Sequence, residues 1–204
     1  IRFKQTEIGE IPEEWEVRLL EQVCERIFVG IATSTTENYA TEGVPILRNQ
    51  NIKEDMLEIT ELLYITPEFS ERNKSKKLVR GDVLTVRTGY PGITCVVPDR
   101  FEGCHTFTTL VSRPQKEILN SYFLSRYINS YEGKRFVFGG KAGGAQQNLN
   151  VSIMKKLPVP IPPLQEQQQI VDILSSVDHK ITKEHSYLTQ LQTLKKGLMQ
   201  VLLT

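Results

Sequence analysis

Long apolar runs are missing from this 204-residue chain. Nothing approaches the roughly 20 residues that cross a bilayer, and no charged-then-apolar leader is present. No membrane span is expected, and a cytoplasmic location is the default. Cysteine is scarce: Cys24, Cys95 and Cys104 are odd in number, scattered, and include no CxxC pair. That spacing argues against a structural zinc site and a disulfide framework, and predicts reduced thiols. His105, His179 and His185 make no ligand or triad pattern, so no metal site is expected. An excess of one charge is lacking too. Twenty-five basic residues face 24 acidic ones, and a net charge of +1 gives no global argument for a polyanionic partner.

The charges that are present are unevenly placed. Residues 1–30 hold seven acids and four bases, whereas Arg72, Lys74, Lys76, Lys77 and Arg80 face only Glu71 within 71–80. Lys134, Arg135, Lys141, Lys155 and Lys156 make a second basic set, with Glu132 the single acid between 131 and 156. Such patches on a balanced chain fit either a polyanion-binding surface or a solvated face. The length admits one globular domain with its own core plus an extension.

Taken in order, Ile8-Gly9-Glu10-Ile11-Pro12-Glu13-Glu14-Trp15 is an extended start whose single tryptophan is expected to pack on the domain body. Residues 18–27 carry Leu19, Leu20, Val23 and Ile27 at helical spacing and predict a short helix. Residues 30–36 read as a loop. A strand over 44–47 leads into Arg48-Asn49-Gln50-Asn51. This run is either a base-reading edge, Asn and Gln suiting adenine and Arg guanine, or an ordinary polar turn. Thr66 caps a helix to residue 73, with Pro67 at its first position. Strands over 83–87 and 93–97 form a hairpin around Thr88-Gly89-Tyr90-Pro91-Gly92, a tip able to approach a phosphate backbone closely. Residues 107–111 read as a strand and 117–131 as a helix. Gly139-Gly140-Lys141-Ala142-Gly143-Gly144 fails as a phosphate loop, because Ala142 stands where Ser or Thr must hold the metal. Phosphate or base contact by Lys141, Gln146 and Gln147 fits this region better.

Four of the ten prolines fall within 158–163. Each fixes φ near −65° and removes a donor, so this stretch is extended, and Pro163-Leu164-Gln165-Glu166 begins a helix. From there a 3,4 repeat runs through Leu174, Val177, Ile181, Glu184, Leu188, Leu191, Lys195, Leu198 and Leu202. Seven of these nine positions are apolar. A helix of about 40 residues is about 60 Å long, too long to be covered by a domain of this size. It needs a partner helix, a copy of itself or another subunit; the alternative is folding back onto its own domain. The fold class is α+β: a mixed globular domain of short strands and helices over 1–157, a proline-rich joint over 158–163, and one long coiled-coil helix over 164–204.

Four stretches together resemble the specificity subunits of type I restriction–modification systems. They are Ile8-Gly9-Glu10-Ile11-Pro12-Glu13-Glu14-Trp15-Glu16-Val17; Gly81-Asp82-Val83-Leu84 with Arg87, Gly89 and Gly92; residues 146–150; and the joint with Leu164-Gln165-Glu166-Gln167-Gln168-Gln169-Ile170 behind it. The resemblance implies a target recognition domain followed by a spacer helix. The family's subunits usually hold two such units in tandem, with their helices antiparallel. One unit and no internal repeat are visible here, so the resemblance implies a half-subunit, natural or cut from a longer protein.

It further implies a non-catalytic subunit that reads one half of a bipartite DNA target. Its partners would be double-stranded DNA, a modification subunit that methylates adenine with S-adenosylmethionine, and an ATP-dependent restriction subunit. S-adenosylmethionine, ATP and Mg would belong to those partners, with no cofactor in this chain. The residues expected at DNA are Thr33, Ser34, Arg48, Asn49, Asn51, Arg87, Thr88, Tyr90, Lys141, Gln146 and Gln147. Those expected in an antiparallel self-association, with a palindromic target, are Leu174, Val177, Ile181, Leu188, Leu191, Leu198 and Leu202. Two other readings stand beside this one: a coiled-coil interaction protein that touches no nucleic acid, and an enzyme using the 139–144 loop for a phosphorylated substrate.

Overall fold

The computed structural model describes residues 2–139 and 149–203. The chain divides into two compact units, Ile1–Gln167 and Gln168–Thr204.

The first unit opens with an antiparallel hairpin of β1 (Phe3–Thr6) and β2 (Gly9–Pro12). Half-buried Trp15 follows, and its Nε1 donates to Glu166 Oε2 at 3.0 Å. The helix suggested over 18–27 is absent. That segment is β3 (Glu16–Leu19), a single 3-10 turn at Leu20–Gln22, and β4 (Cys24–Val29). Leu20 and Val23 are buried by the turn, so the helical spacing is real over one turn only. On either side, long-range strand partners satisfy the backbone groups and override the local pattern.

Next come β5 (Tyr39–Ala40), β6 (Val44–Leu47), the small hairpin β7 (Ile52–Lys53) and β8 (Met56–Leu57), and β9 (Leu63–Ile65). Helix α1 (Pro67–Arg72) forms as expected: the Thr66 hydroxyl accepts from the Phe69 N–H at 3.3 Å, with Pro67 leading. The hairpin of β10 (Val83–Thr85) and β11 (Thr94–Val96) is present, with Gly89 and Gly92 at φ 86° and 92° in its loop. Before it, Gly81 (φ 85°) and Asp82 make a built turn. Asp82 is fully buried, its Oδ2 accepts from the Val79 N–H at 2.9 Å, and it receives two hydrogen bonds from Arg113.

The strand expected over 107–111 is interrupted. β12 (His105–Thr106) pairs in parallel with β6, whereas β13 (Leu110–Pro114) pairs with β10 and β4. Between them Thr108 takes φ 55°, uncommon for a β-branched residue, and turns the chain from one sheet to the other. The two four-stranded sheets, β11-β10-β13-β4 and β12-β6-β9-β5, are joined through this corner. The larger core gathers Leu47, Leu78, Leu84, Val97, Phe101 and Val111, and a smaller one Ile31, Ile46, Ile65 and Phe69.

Helix α2 (Ser121–Asn129) starts four residues later than expected, because the Asn120 side chain caps it by accepting from Tyr122 and Phe123 N–H. Ser130 caps α3 (Tyr131–Val137). After α4 (Val151–Lys155) the proline stretch forms β14 (Pro158–Ile161), paired with β3. Its prolines at alternate positions, 158 and 160, put both missing donors on the edge away from β3. Tyr127 OH reaches Pro158 O on that edge at 2.7 Å.

Helix α5 (Leu164–Leu202) begins inside the first unit. Gln167 is fully buried there: its Nε2 donates to Ile118 O (2.9 Å) and Pro162 O (2.8 Å), and its Oε1 accepts from Asn120 N (2.8 Å). The second unit is the remainder of this helix, and its side chains are exposed from residue 172 onward. Among the described residues no helix is long and apolar enough to cross a membrane.

Candidate nucleic-acid interface

The corner at residues 106–109 collects three other chain segments. Phe107 N donates to Leu47 O at 2.7 Å, Thr108 N to Ile31 O at 2.9 Å, and Gly30 N to Thr109 O at 2.9 Å. The Thr109 hydroxyl then donates to Asn49 Oδ1 at 3.1 Å, and Asn49 Nδ2 reaches Thr88 Oγ1 at 3.1 Å. Loop 30–36, the 48–51 segment and the hairpin tip 87–90 are thereby tied to one edge. Thr33, Ser34 and Thr88 are exposed there, Asn49 is half-buried, and the Tyr90 ring is 78% exposed.

Asn49 is oriented as well as placed. The Thr88 carbonyl, 3.4 Å from Nδ2, can only accept, so the nitrogen end of the amide faces Thr88 and the oxygen end faces Thr109. The 3.4 Å contact is weak, leaving one N–H and one Oδ1 lone pair able to serve a further partner. A donor and an acceptor side by side match the N7 and N6 positions of an adenine edge.

Other predicted residues are placed differently. Asn51 is 1% exposed; it accepts from Arg48 N at 2.9 Å and donates to Glu58 O at 3.0 Å, so it holds the turn together and presents nothing outward. Arg48 is half-buried, with Nη2 on Glu61 O at 3.1 Å. Arg87 is a tether: its Nε donates to Leu149 O at 3.1 Å and its carbonyl accepts from Leu149 N at 3.2 Å. Lys141, Gln146 and Gln147 lie outside the described residues. The described residues flanking them do border the hairpin, Leu149 at Arg87 and Val137 against Gly92, where an added Cβ would stand 3.2 Å from Val137 Cγ1.

The basic sets are mostly engaged locally. Lys74 and Lys77 share Glu71 at 3.7 and 3.1 Å, Arg80 meets Asp99 at 3.4 Å, Lys134 pairs with Glu54, and Lys155 meets Glu21 at 3.5 Å. Two cations of the first set hold the ends of the first loop: Arg72 Nη2 donates to Asn38 Oδ1 at 3.1 Å and Lys76 Nζ to Val29 O at 2.6 Å.

The chemistry on offer at this edge is hydrogen bonding and ring contact. Burial pushes the thiols of Cys24 and Cys95 up to about 12 and that of Cys104 to about 11, far from the reactive thiolate range. His105 is buried, 3.0 Å from Ser70 Oγ; desolvation and then the charge of Lys77 push it down to about 4. Among the described residues no three His, Cys, Asp or Glu side chains converge to hold a metal.

This architecture recurs in solved proteins. The chain superposes with a TM-score of 0.73 at 20% identity on a chain from work titled as the structural basis of complex assembly and conformational transition of the type I R-M system, covering 98% of this chain and 47% of that one. The HsdS subunit from Thermoanaerobacter tengcongensis gives a TM-score of 0.66 at 18% identity, covering 94% and 49%. In sequence the chain is 33% identical over 207 residues to the specificity subunit assigned to the MjaX type I restriction enzyme of Methanocaldococcus jannaschii, covering 99% of this chain and 48% of the relative. The MjaVIII specificity subunit of the same organism is 23% identical over 212 residues, with the same coverage. The chain thus spans about half the length of the curated relatives it matches. The family described as the type I restriction modification DNA specificity domain matches residues 12–193, and the chain belongs to that family.

Proposed function

We propose that this chain reads one half of a bipartite DNA target for a type I restriction–modification complex. The observation that carries the reading is the convergence of loop 30–36, Asn49 and the 87–90 tip on the Thr109 corner. Thr33, Ser34, Asn49, Thr88 and Tyr90 make the outward set, with Arg48 at its margin. Lys141, Gln146 and Gln147, which lie outside the described residues, belong to the reading on their residue types alone. Arg87 and Asn51 act through the loops they hold.

The chain itself performs no catalysis in this reading. Methylation with S-adenosylmethionine and ATP-driven translocation with Mg reside on a modification and a restriction subunit, which it directs to the site. Helix α5 is the spacer. Its stripe of Leu174, Val177, Ile181, Leu188, Leu191, Leu198 and Leu202 is 40 to 75% exposed and pairs antiparallel with a second such helix, in the simplest case from a copy of this chain. A two-fold axis across that pair matches the dyad of a palindromic target.

The test is duplex binding by the chain assembled with a modification subunit, using its preferred site and single-base variants. Asn49→Ala should cost about 1–3 kcal/mol of discrimination at one base pair and leave the others unchanged. Uniform preference in wild type and variant alike would remove the edge from the account. A defined oligomer with no DNA footprint would favour the interaction-protein reading instead.

A further inference from the structure

Three cations surround one aromatic ring on the β4–β13 pair. From the Phe28 centroid, the Arg26 guanidinium lies 4.2 Å away, the Lys76 ammonium 5.4 Å and the Arg113 guanidinium 6.0 Å. Arg113 is neutralised by buried Asp82, its Nε and Nη2 at 2.8 and 2.9 Å from the two carboxylate oxygens. Arg26 stands opposite Arg113 in strand register, a position where like charges repel. Among the described residues neither Arg26 nor Lys76 makes an ion pair. Each is tethered by one carbonyl, Arg26 by Ser75 O at 2.8 Å and Lys76 by Val29 O at 2.6 Å, and each keeps further donors.

The pair is costly as it stands. Burial, and then the charge of Arg26, pulls the Lys76 ammonium below its ordinary range. An anion held by the two would offset their mutual repulsion. Its location is also specific: Val29 is followed directly by Gly30, which bonds the Thr109 corner, so the pair stands at the foot of loop 30–36.

We propose that Arg26 and Lys76 form a clamp for one phosphodiester group of duplex DNA, setting the register of the reading edge without contacting bases. The clamp rests on the DNA-reading function proposed above.

The experiment titrates fluorescent duplexes of several sequences against the chain assembled with a modification subunit between about 50 and 200 mM salt. It compares wild type, Arg26→Gln, Lys76→Gln, Lys76→Arg and, as a control, the exposed Lys116→Gln, with a thermal melt of each. Arg26→Gln and Lys76→Gln should each lower the slope of log affinity against log salt, together by about 0.9, the share of one phosphate, and weaken binding a few-fold at the lowest salt, equally for all sequences. Lys76→Arg should keep the wild-type slope, and Lys116→Gln should change nothing. If Lys76→Gln melts early, exposed Arg26→Gln decides. A wild-type slope retained by Arg26→Gln overturns the clamp. Retained slopes with lost association to a partner protein also overturn it, assigning the pair to a protein carboxylate. A wild-type assembly that binds no duplex overturns the DNA-reading function itself.

Discussion

At the scale of single residues, the proposed reading edge is held by the corner behind it. Thr108 accepts an unfavourable φ of 55° where Thr109 reaches Asn49, and the Thr88 carbonyl, which can only accept, fixes which end of the amide points where. His105, in β12 just before that corner, carries a separate consequence for stability. Its folded value of about 4 lies below the ordinary 6.5, so the unfolded chain binds the proton more readily. Stability contributed by neutral His105 is therefore complete above pH 6.5 and is lost as pH falls toward 4. Between pH 7 and 5 the loss should be about 2 kcal/mol, and His105→Gln should remove that part of the pH dependence in urea denaturation. An unchanged pH profile in the variant would show that His105 titrates normally in the folded protein. Arg26 illustrates what residue lists miss. It sits in an acid-rich sequence window, and only the packing of the 74–76 turn against β4, where Arg26 Nη1 donates to Ser75 O and Lys76 Nζ to Val29 O, brings it to Lys76.

At the scale of elements, the buried Gln167 fixes the first turn of α5 to the body of the first unit, and Trp15 does the same through Glu166. Replacing Gln167 with Leu would strand Asn120 N–H, Ile118 O and Pro162 O. The expected cost is about 3 kcal/mol or more, read as a lower midpoint in chemical denaturation. A loss below about 0.5 kcal/mol would mean that water reaches these groups instead. Elements fixed by local chemistry were readable in advance: the Thr66 cap with Pro67, the glycine-tipped hairpin, the extended proline run and the long helix. Elements fixed by distant partners were not. The leucines and valine of 18–27 have helical spacing, yet β13 and β14 claim the flanking backbone. Nothing in Phe107-Thr108-Thr109 announces a corner, because the reason for it is a change of sheet. The same limit applies at the candidate site, where residue types could not tell half-buried Asn49, which meets Thr88 and Thr109, from buried Asn51, two positions away, which holds the turn.

At the scale of the whole molecule, the proposal makes α5 a ruler. Its 39 residues span about 58 Å at 1.5 Å per residue. Paired antiparallel, two such helices would separate the reading edges by about one and a half to two turns of duplex. The exposed stripe should therefore drive self-association: wild type should show a dimer mass in solution, and Leu188→Glu with Leu191→Glu a monomer. Identical masses would remove homodimer pairing through this stripe. The most direct measurement is selection from a randomised duplex pool by the chain assembled with a modification subunit. The account predicts enrichment of two inverted half-sites at one fixed gap, with Asn49→Ala blurring the same position in both halves. Enrichment of no motif, or of motifs indifferent to Asn49, would contradict it.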